Sequence, residues 1–168
     1  IQADIKAITY FKGYAMTVVT AITAQNTIGV QSIYPLPKQI VMDQIDSINS
    51  DLSPDVVKIG MLADVEIIEY ISMNISNHKI VLDPVMVATS GDVLVSDEVI
   101  TSIKNNLVSK SFLITPNIYE AEILNEKKIN NLEDQINAGK KLLKLGCKNV
   151  LVKGCLLYTS DAADERLS

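Results

Sequence analysis

Ser111-Phe112-Leu113-Ile114-Thr115-Pro116-Asn117-Ile118-Tyr119-Glu120 carries the chain from an apolar strand straight into a helix. The strand reads through Ser111–Thr115, and Glu120-Ala121-Glu122-Ile123-Leu124 supplies the helical pattern. Pro116 suits a first turn or its approach, where its missing N–H would be unpaired anyway. Residues three apart on a helix share a face, so Asn117 and Glu120 can point at one spot. At the carboxyl end of a strand in an α/β sheet that spot is a ligand crevice, and a hard Mg²⁺ with its waters suits an amide beside a carboxylate. The same N-x-x-E spacing is also the signature of a helix N-cap with its capping-box partner. Both readings stand at this level.

Outward from this stretch, short strand-like runs alternate with helix-like runs. Strands are expected at Met16–Ile22, Gly29–Tyr34, Val56–Gly60, Lys79–Asp83, Ser111–Thr115 and Asn149–Val152. Between them, Lys38–Asn49, Val65–Ile75, Asp97–Leu107, Glu120–Asn125 and Leu132–Leu145 place apolar residues at helical spacing, and Gly146 is a natural stop for the last. Ile1–Ile8 is helical in pattern as well. Alternation of this kind predicts βαβ units: an α/β fold with a doubly wound, mostly parallel sheet and helices on both faces. The run Val30–Pro37 departs from the rhythm, because it follows another strand through the short polar link Asn26-Thr27-Ile28-Gly29. It reads as a brief non-parallel excursion: a cover for a ligand, a dimer edge or an ordinary edge strand blunted by Pro35 and Pro37.

The 168 residues suit one ordinary domain, and 48% apolar content excludes a disordered chain. A net charge of −5 without a run of Lys or Arg argues against a nucleic-acid footprint and for a small-molecule partner. No stretch approaches the roughly 20 apolar residues of a membrane span, and the start has no signal pattern, so a cytoplasmic location is expected. Cys147 and Cys155 read as two reduced thiols, and His78, in the polar turn Ser76-Asn77-His78-Lys79, as solvated loop.

Other strand ends carry chemistry. Asp83 closes Lys79-Ile80-Val81-Leu82 and is delivered to the same crevice as Asn117 and Glu120, where oxygen-bearing side chains suit Mg²⁺ shared with nucleotide phosphates. An Asp opening a turn before Pro84 is the structural alternative. Gln25, at the end of Thr20-Ala21-Ile22-Thr23-Ala24, offers a donor and an acceptor side by side for a heterocycle's amino group and ring nitrogen, or else caps a loop together with Asn26. Lys58-Ile59-Gly60-Met61-Leu62 pairs a glycine that permits close backbone approach with a polarisable methionine wall or core residue. Ala88-Thr89-Ser90-Gly91-Asp92 is a small-residue loop that suits an anion, without matching G-x-x-x-x-G-K-[ST]. Lys153, followed by Gly154 at the end of the last strand, reads as a surface lysine or as a cation for a phosphate.

Taken in order, Ile1-Gln2-Ala3-Asp4, Thr23–Thr27, Lys58–Leu62, Leu82–Met86, Ser90-Gly91-Asp92, Thr115-Pro116-Asn117 with Glu120, and Val152-Lys153-Gly154 closely resemble the hydroxymethylpyrimidine/phosphomethylpyrimidine kinases of thiamin biosynthesis, members of the ribokinase-like superfamily. The resemblance implies ATP-dependent phosphorylation of 4-amino-5-hydroxymethyl-2-methylpyrimidine and then of its monophosphate. It implies that Gln25 binds the aminopyrimidine edge and Asp4 a polar group of the substrate, with Met61 and Val85 packed on or beside the ring. Asn117 and Glu120 match the superfamily's N-x-x-E motif, which organises Mg²⁺ and phosphate; Asp83 assists the metal, and Lys153 and Asn117 lie by the nucleotide. A homodimer of the complete protein is implied by the resemblance alone.

The chain also departs from the pattern. The glycine-rich first strand expected before Ile1 is not in it, and neither is the closing Gly-Thr-Gly-Cys or Gly-Thr-Gly-Asp segment, so no residue here is assigned as catalytic. Residues 1–154 therefore read as a partial kinase domain, inactive in isolation, and residues 155–168 as a non-native tail of translated adapter or vector sequence. Thr89 stands where some relatives have Lys. Rival expectations are a pyridoxal or pyridoxine kinase of the same fold, and a non-catalytic ligand-binding fragment.

Overall fold

The computed structural model describes residues 1–75, 77–87 and 94–154. The Ala88–Asp92 loop and everything from Cys155 onward lie outside the described residues. Helix α1, Gln2–Tyr10, opens the chain and buries none of its residues. Strand β1, Ala21–Gln25, then pairs antiparallel with β2, Val30–Pro35, through a bulge at Ala24/Gln25. This hairpin is the non-parallel excursion read from the sequence, but its first strand starts later than Met16–Ile22. The reason is visible at Val19, whose N–H donates to Gln44 Oε1 at 2.9 Å and whose carbonyl accepts from Gln44 Nε2 at 3.1 Å. A side chain of the next helix takes the rungs that a neighbouring strand would supply. In the turn, Asn26 Oδ1 accepts from the N–H groups of Ile28 and Gly29, the loop-capping role foreseen for an amide here.

After α2, Lys38–Asp51, the βαβ rhythm takes over: β3, Val56–Ile59; α3, Val65–Asn74; β4, Lys79–Leu82; α4, Asp97–Asn106; a 3-10 turn at Val108–Lys110; and β5, Leu113–Ile114. Strands β3, β4 and β5 form one parallel sheet in that order, with Ile59 opposite Leu82 and Leu82 opposite Ile114. Helices α5, Ile118–Asn125, and α6, Leu132–Lys144, complete the described order. The strand expected at Asn149–Val152 is reduced to isolated parallel bridges, Ile114 to Val150 and Asn117 to Lys153, because β5 beside it is itself only two residues long. Among the described residues no helix is long and apolar enough to cross a membrane.

Helices α3 to α6 start where the sequence offers a cap, whereas α1 and α2 start at Ile1 and Pro37 without one. Asp64, Ser96, Asn117 and Asn131 accept from backbone N–H groups of the first turns of α3, α4, α5 and α6. The main core gathers Ile68 and Ile71 of α3, Ile80 and Leu82 of β4, Ile103 of α4 and Ile114 of β5, and a smaller cluster joins Ala121, Ile129 and Ala138. Ile68, Ile80 and Leu82 are fully enclosed, and truncating one to alanine costs about 2–5 kcal/mol. Cys147 is buried and free, its thiol donating to the Leu142 carbonyl, as expected of a reduced core cysteine.

Gly146 ends the last helical stretch with φ of +109°, and an added Cβ would stand 3.1 Å from the Ser109 Cβ. Both facts oppose a side chain there. Gly146→Ala is expected to lower stability by about 1–2 kcal/mol in urea unfolding; an unchanged midpoint would show that the turn is not constrained.

Candidate functional site

The parallel ladder brings three strand ends level and then runs past them. Asp83 N–H donates to the Ile59 carbonyl at 2.8 Å, Thr115 N–H to Leu82 at 2.9 Å, and Lys153 N–H to Pro116 at 2.7 Å. Residues 83, 115 and 153 therefore stand side by side at the carboxyl edge of the sheet, where open α/β sheets hold their ligands. Asp83 Oδ1 accepts from Lys153 Nζ at 2.8 Å and from Thr115 Oγ1 at 3.1 Å. Its Oδ2 lies 3.5 Å from Lys58 Nζ, and that ammonium is 2.7 Å from Asp4 Oδ1. Carboxylates and ammoniums thus alternate across the edge: Asp4, Lys58, Asp83, Lys153. The Asp83 and Lys153 side chains are only 18% and 20% exposed, so water screens their attraction less than it would on an open surface. Burial raises the Asp4 carboxyl, and the Lys58 ammonium with the Ile1 amine more than reverses this, leaving it below its ordinary value.

Asn117 and Glu120 form a full capping box. Asn117 Oδ1 accepts from Glu120 N–H at 2.8 Å, and Glu120 Oε2 accepts from Asn117 N–H at 2.8 Å. The capping reading is realised, yet it does not account for the carboxyl's surroundings. Glu120 is 2% exposed, and its other oxygen has a long contact of 3.4 Å from Met86 N–H. Burial pushes its pKa up to about 7; the Asn117 N–H and the Lys153 ammonium pull against this, and Asp83 adds to it. A cap on a solvated helix end needs no such burial. The carboxyl behind the strand ends is therefore held closer to neutral than an ordinary glutamate.

The structure gathers Asp4, Asp83, Asn117, Glu120 and Lys153 along this edge. Met61 and Val85 are half-buried in the loops that follow β3 and β4, and the Met61 carbonyl accepts from Thr20 Oγ1 at 3.0 Å. Gln25 stands exposed at the end of β1, whose residues past Ala21 are exposed as well. The hydrophobic pattern Met16–Ile22 mimicked a core strand, whereas Gln44 holds that segment against a helix. At Gly60 no protein atom lies within 4 Å of where a Cβ would stand, so the space beside this strand end is open. The sequence reading assigned no role to Lys58 or Thr115. Lys58 is visible as a charge inside the apolar run Val56-Val57-Lys58-Ile59, on a strand whose Val56 and Lys58 stay exposed. Nothing in the sequence pointed to Thr115 beyond its place at a strand end.

The family model for phosphomethylpyrimidine kinase matches residues 1–167. A hydroxymethylpyrimidine/phosphomethylpyrimidine kinase of Bacillus subtilis (strain 168) is 40% identical over 157 residues, covering 92% of this chain and 58% of the relative. A crystal structure of phosphomethylpyrimidine kinase from Clostridium difficile 630 superposes with a TM-score of 0.85 at 40% identity, over 95% of this chain and 71% of that one. Pyridoxal kinase from Staphylococcus aureus in complex with ADP is also similar, with a TM-score of 0.83 at 29% identity, over 95% of this chain and 60% of that one. The chain spans less than two thirds of the length of the curated relatives, 58% in B. subtilis and 63% in Salmonella typhimurium. The fold is α/β of the ribokinase-like type. With the whole matched stretch in one order and one fold, the chain belongs to the phosphomethylpyrimidine kinase family.

Proposed function

We propose that the protein transfers the γ-phosphoryl group of ATP to 4-amino-5-hydroxymethyl-2-methylpyrimidine and to its monophosphate, a step in making thiamin. The observation that carries this reading is the meeting of Asp83, Lys153, Asn117 and Glu120 at adjoining strand ends in a chain of this family. In the transfer, the acceptor oxygen bonds to the γ-phosphorus, the bond from that phosphorus to the β–γ bridging oxygen breaks with its electrons leaving on ADP, and the acceptor's proton is released. Such chemistry depends on positioning and on neutralising charge, and an edge of alternating ammoniums and carboxylates supplies both. Lys153 and Asn117 face the nucleotide phosphates in this reading, and a pyridoxal kinase 29% identical to the chain holds ADP. Asp4, Gln25, Met61 and Val85 take the acceptor: Asp4 a polar group, Gln25 the amino edge, Met61 and Val85 the ring.

Mg²⁺ fits the donor set as a shared ligand. Among the described residues no three His, Cys, Asp or Glu side chains converge on one point. Asp83 and Glu120 instead supply two oxygen-bearing groups, which is the way Mg²⁺ is held when phosphates and water complete its shell. Bound there, the ion would neutralise phosphate charge. The chain's own part is to hold the Asp83 carboxylate in place through Thr115 and Lys153 and to keep the Glu120 carboxyl from water.

Two outcomes are expected. The protein expressed from its complete gene, given ATP and Mg²⁺, phosphorylates the aminopyrimidine and its monophosphate with higher kcat/KM than pyridoxal, followed by ³¹P NMR; a preference for pyridoxal would replace this reading with the vitamin B6 branch. The second concerns pH. Glu120 has an ordinary value of 4.5 and a folded value of about 7, so between these limits the unfolded chain gives up its proton first and stability falls as pH rises. Below pH 4.5 the penalty is absent, and above about 7 it is complete, on the order of 3 kcal/mol. Glu120→Gln keeps an acceptor for the Asn117 N–H but cannot ionise. In Mg²⁺-free buffer, urea midpoints of the two proteins should diverge across that window, and parallel profiles would exclude the buried-acid account.

A further inference from the structure

A kinase that acts on an alcohol and then on the resulting monophosphate must hold two acceptors that differ by one phosphate dianion. Resting on the kinase reading above, the question is where that extra charge goes. Two ammoniums reach Asp83, and they come from opposite sides. Lys153 is anchored on the α5 side, its N–H on the Pro116 carbonyl and its residue bridged to Asn117. Lys58 comes from β3, with its ammonium 2.7 Å from Asp4 and only three residues before Met61. Lys58 therefore spans from Asp4, on the acceptor side in the kinase reading, to Asp83.

Three further features fit an anion at this point. Lys58 is 37% exposed, so its ammonium is open to a ligand. Its contact with Asp83 is long, at 3.5 Å, and a partly solvated ion pair of that length is given up at little cost. Residues two apart on an extended strand share a face, and Gly60, two beyond Lys58, leaves empty space within 4 Å of where a side chain would begin. An ammonium with three donors can keep Asp4 and turn another proton to a phosphate oxygen.

We propose that Lys58 is the receptor for the phosphate of the monophosphorylated acceptor, exchanging its Asp83 contact for that phosphate. The experiment is steady-state kinetics of the protein expressed from its complete gene, with the alcohol and the monophosphate as separate acceptors, for the parent, Lys58→Met and Lys58→Arg. Lys58→Met should lose roughly tenfold to a hundredfold more kcat/KM on the monophosphate than on the alcohol, mainly through KM. Lys58→Arg should recover much of that difference, and added salt should raise the monophosphate KM more in the parent than in Lys58→Met. Equal losses on the two acceptors, or a loss confined to kcat, would overturn the assignment of Lys58 and leave the kinase reading standing. A parent that phosphorylates neither pyrimidine would overturn both. Should Lys58→Met not fold by circular dichroism, Lys58→Gln is read by the same ratio.

Discussion

The Asp83 carboxylate is the knot of this structure. It joins the end of β4 to Lys153, 70 residues later, to Thr115 at the end of β5, and to Lys58 within β3. A carboxylate largely withdrawn from water is costly unless charged and hydrogen-bonding partners meet it, so the strand ends must arrive at one level. The parallel register delivers them. A slip by one residue would turn every side chain of a strand to the opposite face and leave both the carboxylate and its ammoniums unmatched.

Beside this knot lies a carboxyl with the opposite surroundings. Asp83 meets ammonium groups directly, whereas Glu120 meets the backbone N–H groups of Asn117 and Met86 and is 2% exposed. Two acids in neighbouring places thereby stand in different surroundings, one bound by ammonium groups and one held back from water, where burial raises its pKa. The capping box adds precision, because the N-cap Asn117 and Glu120 in the first turn of α5 are locked together.

The parallel part of the fold was legible because each strand there is a dense apolar run followed by an amphipathic helix. Val56–Gly60 and Lys79–Asp83 fall within one residue of β3 and β4, and Val65–Ile75 and Asp97–Leu107 of α3 and α4. The errors fall where a side chain replaces a backbone partner. Met16–Ile22 has a strand's composition, but its rungs go to Gln44, and no local pattern announces a partner 25 residues away. Asn149–Val152 has a strand's composition too, yet it meets a neighbour too short to sustain a ladder. In the site, Asp83, Asn117, Glu120 and Lys153 were readable as polar residues at strand ends. Lys58 and Thr115 were not, since their roles follow from which strands lie adjacent.

Gln44 gives the hairpin an unusual form of anchorage. Its amide grips both polar groups of Val19, just before the strand that carries Gln25, and Thr20 binds the loop of Met61. A ladder would spread this attachment over many residues, each dispensable. Here two of its hydrogen bonds come from one side chain on a helix outside both sheets, so a change at residue 44 would loosen the segment leading into the hairpin while the core behind it kept its packing.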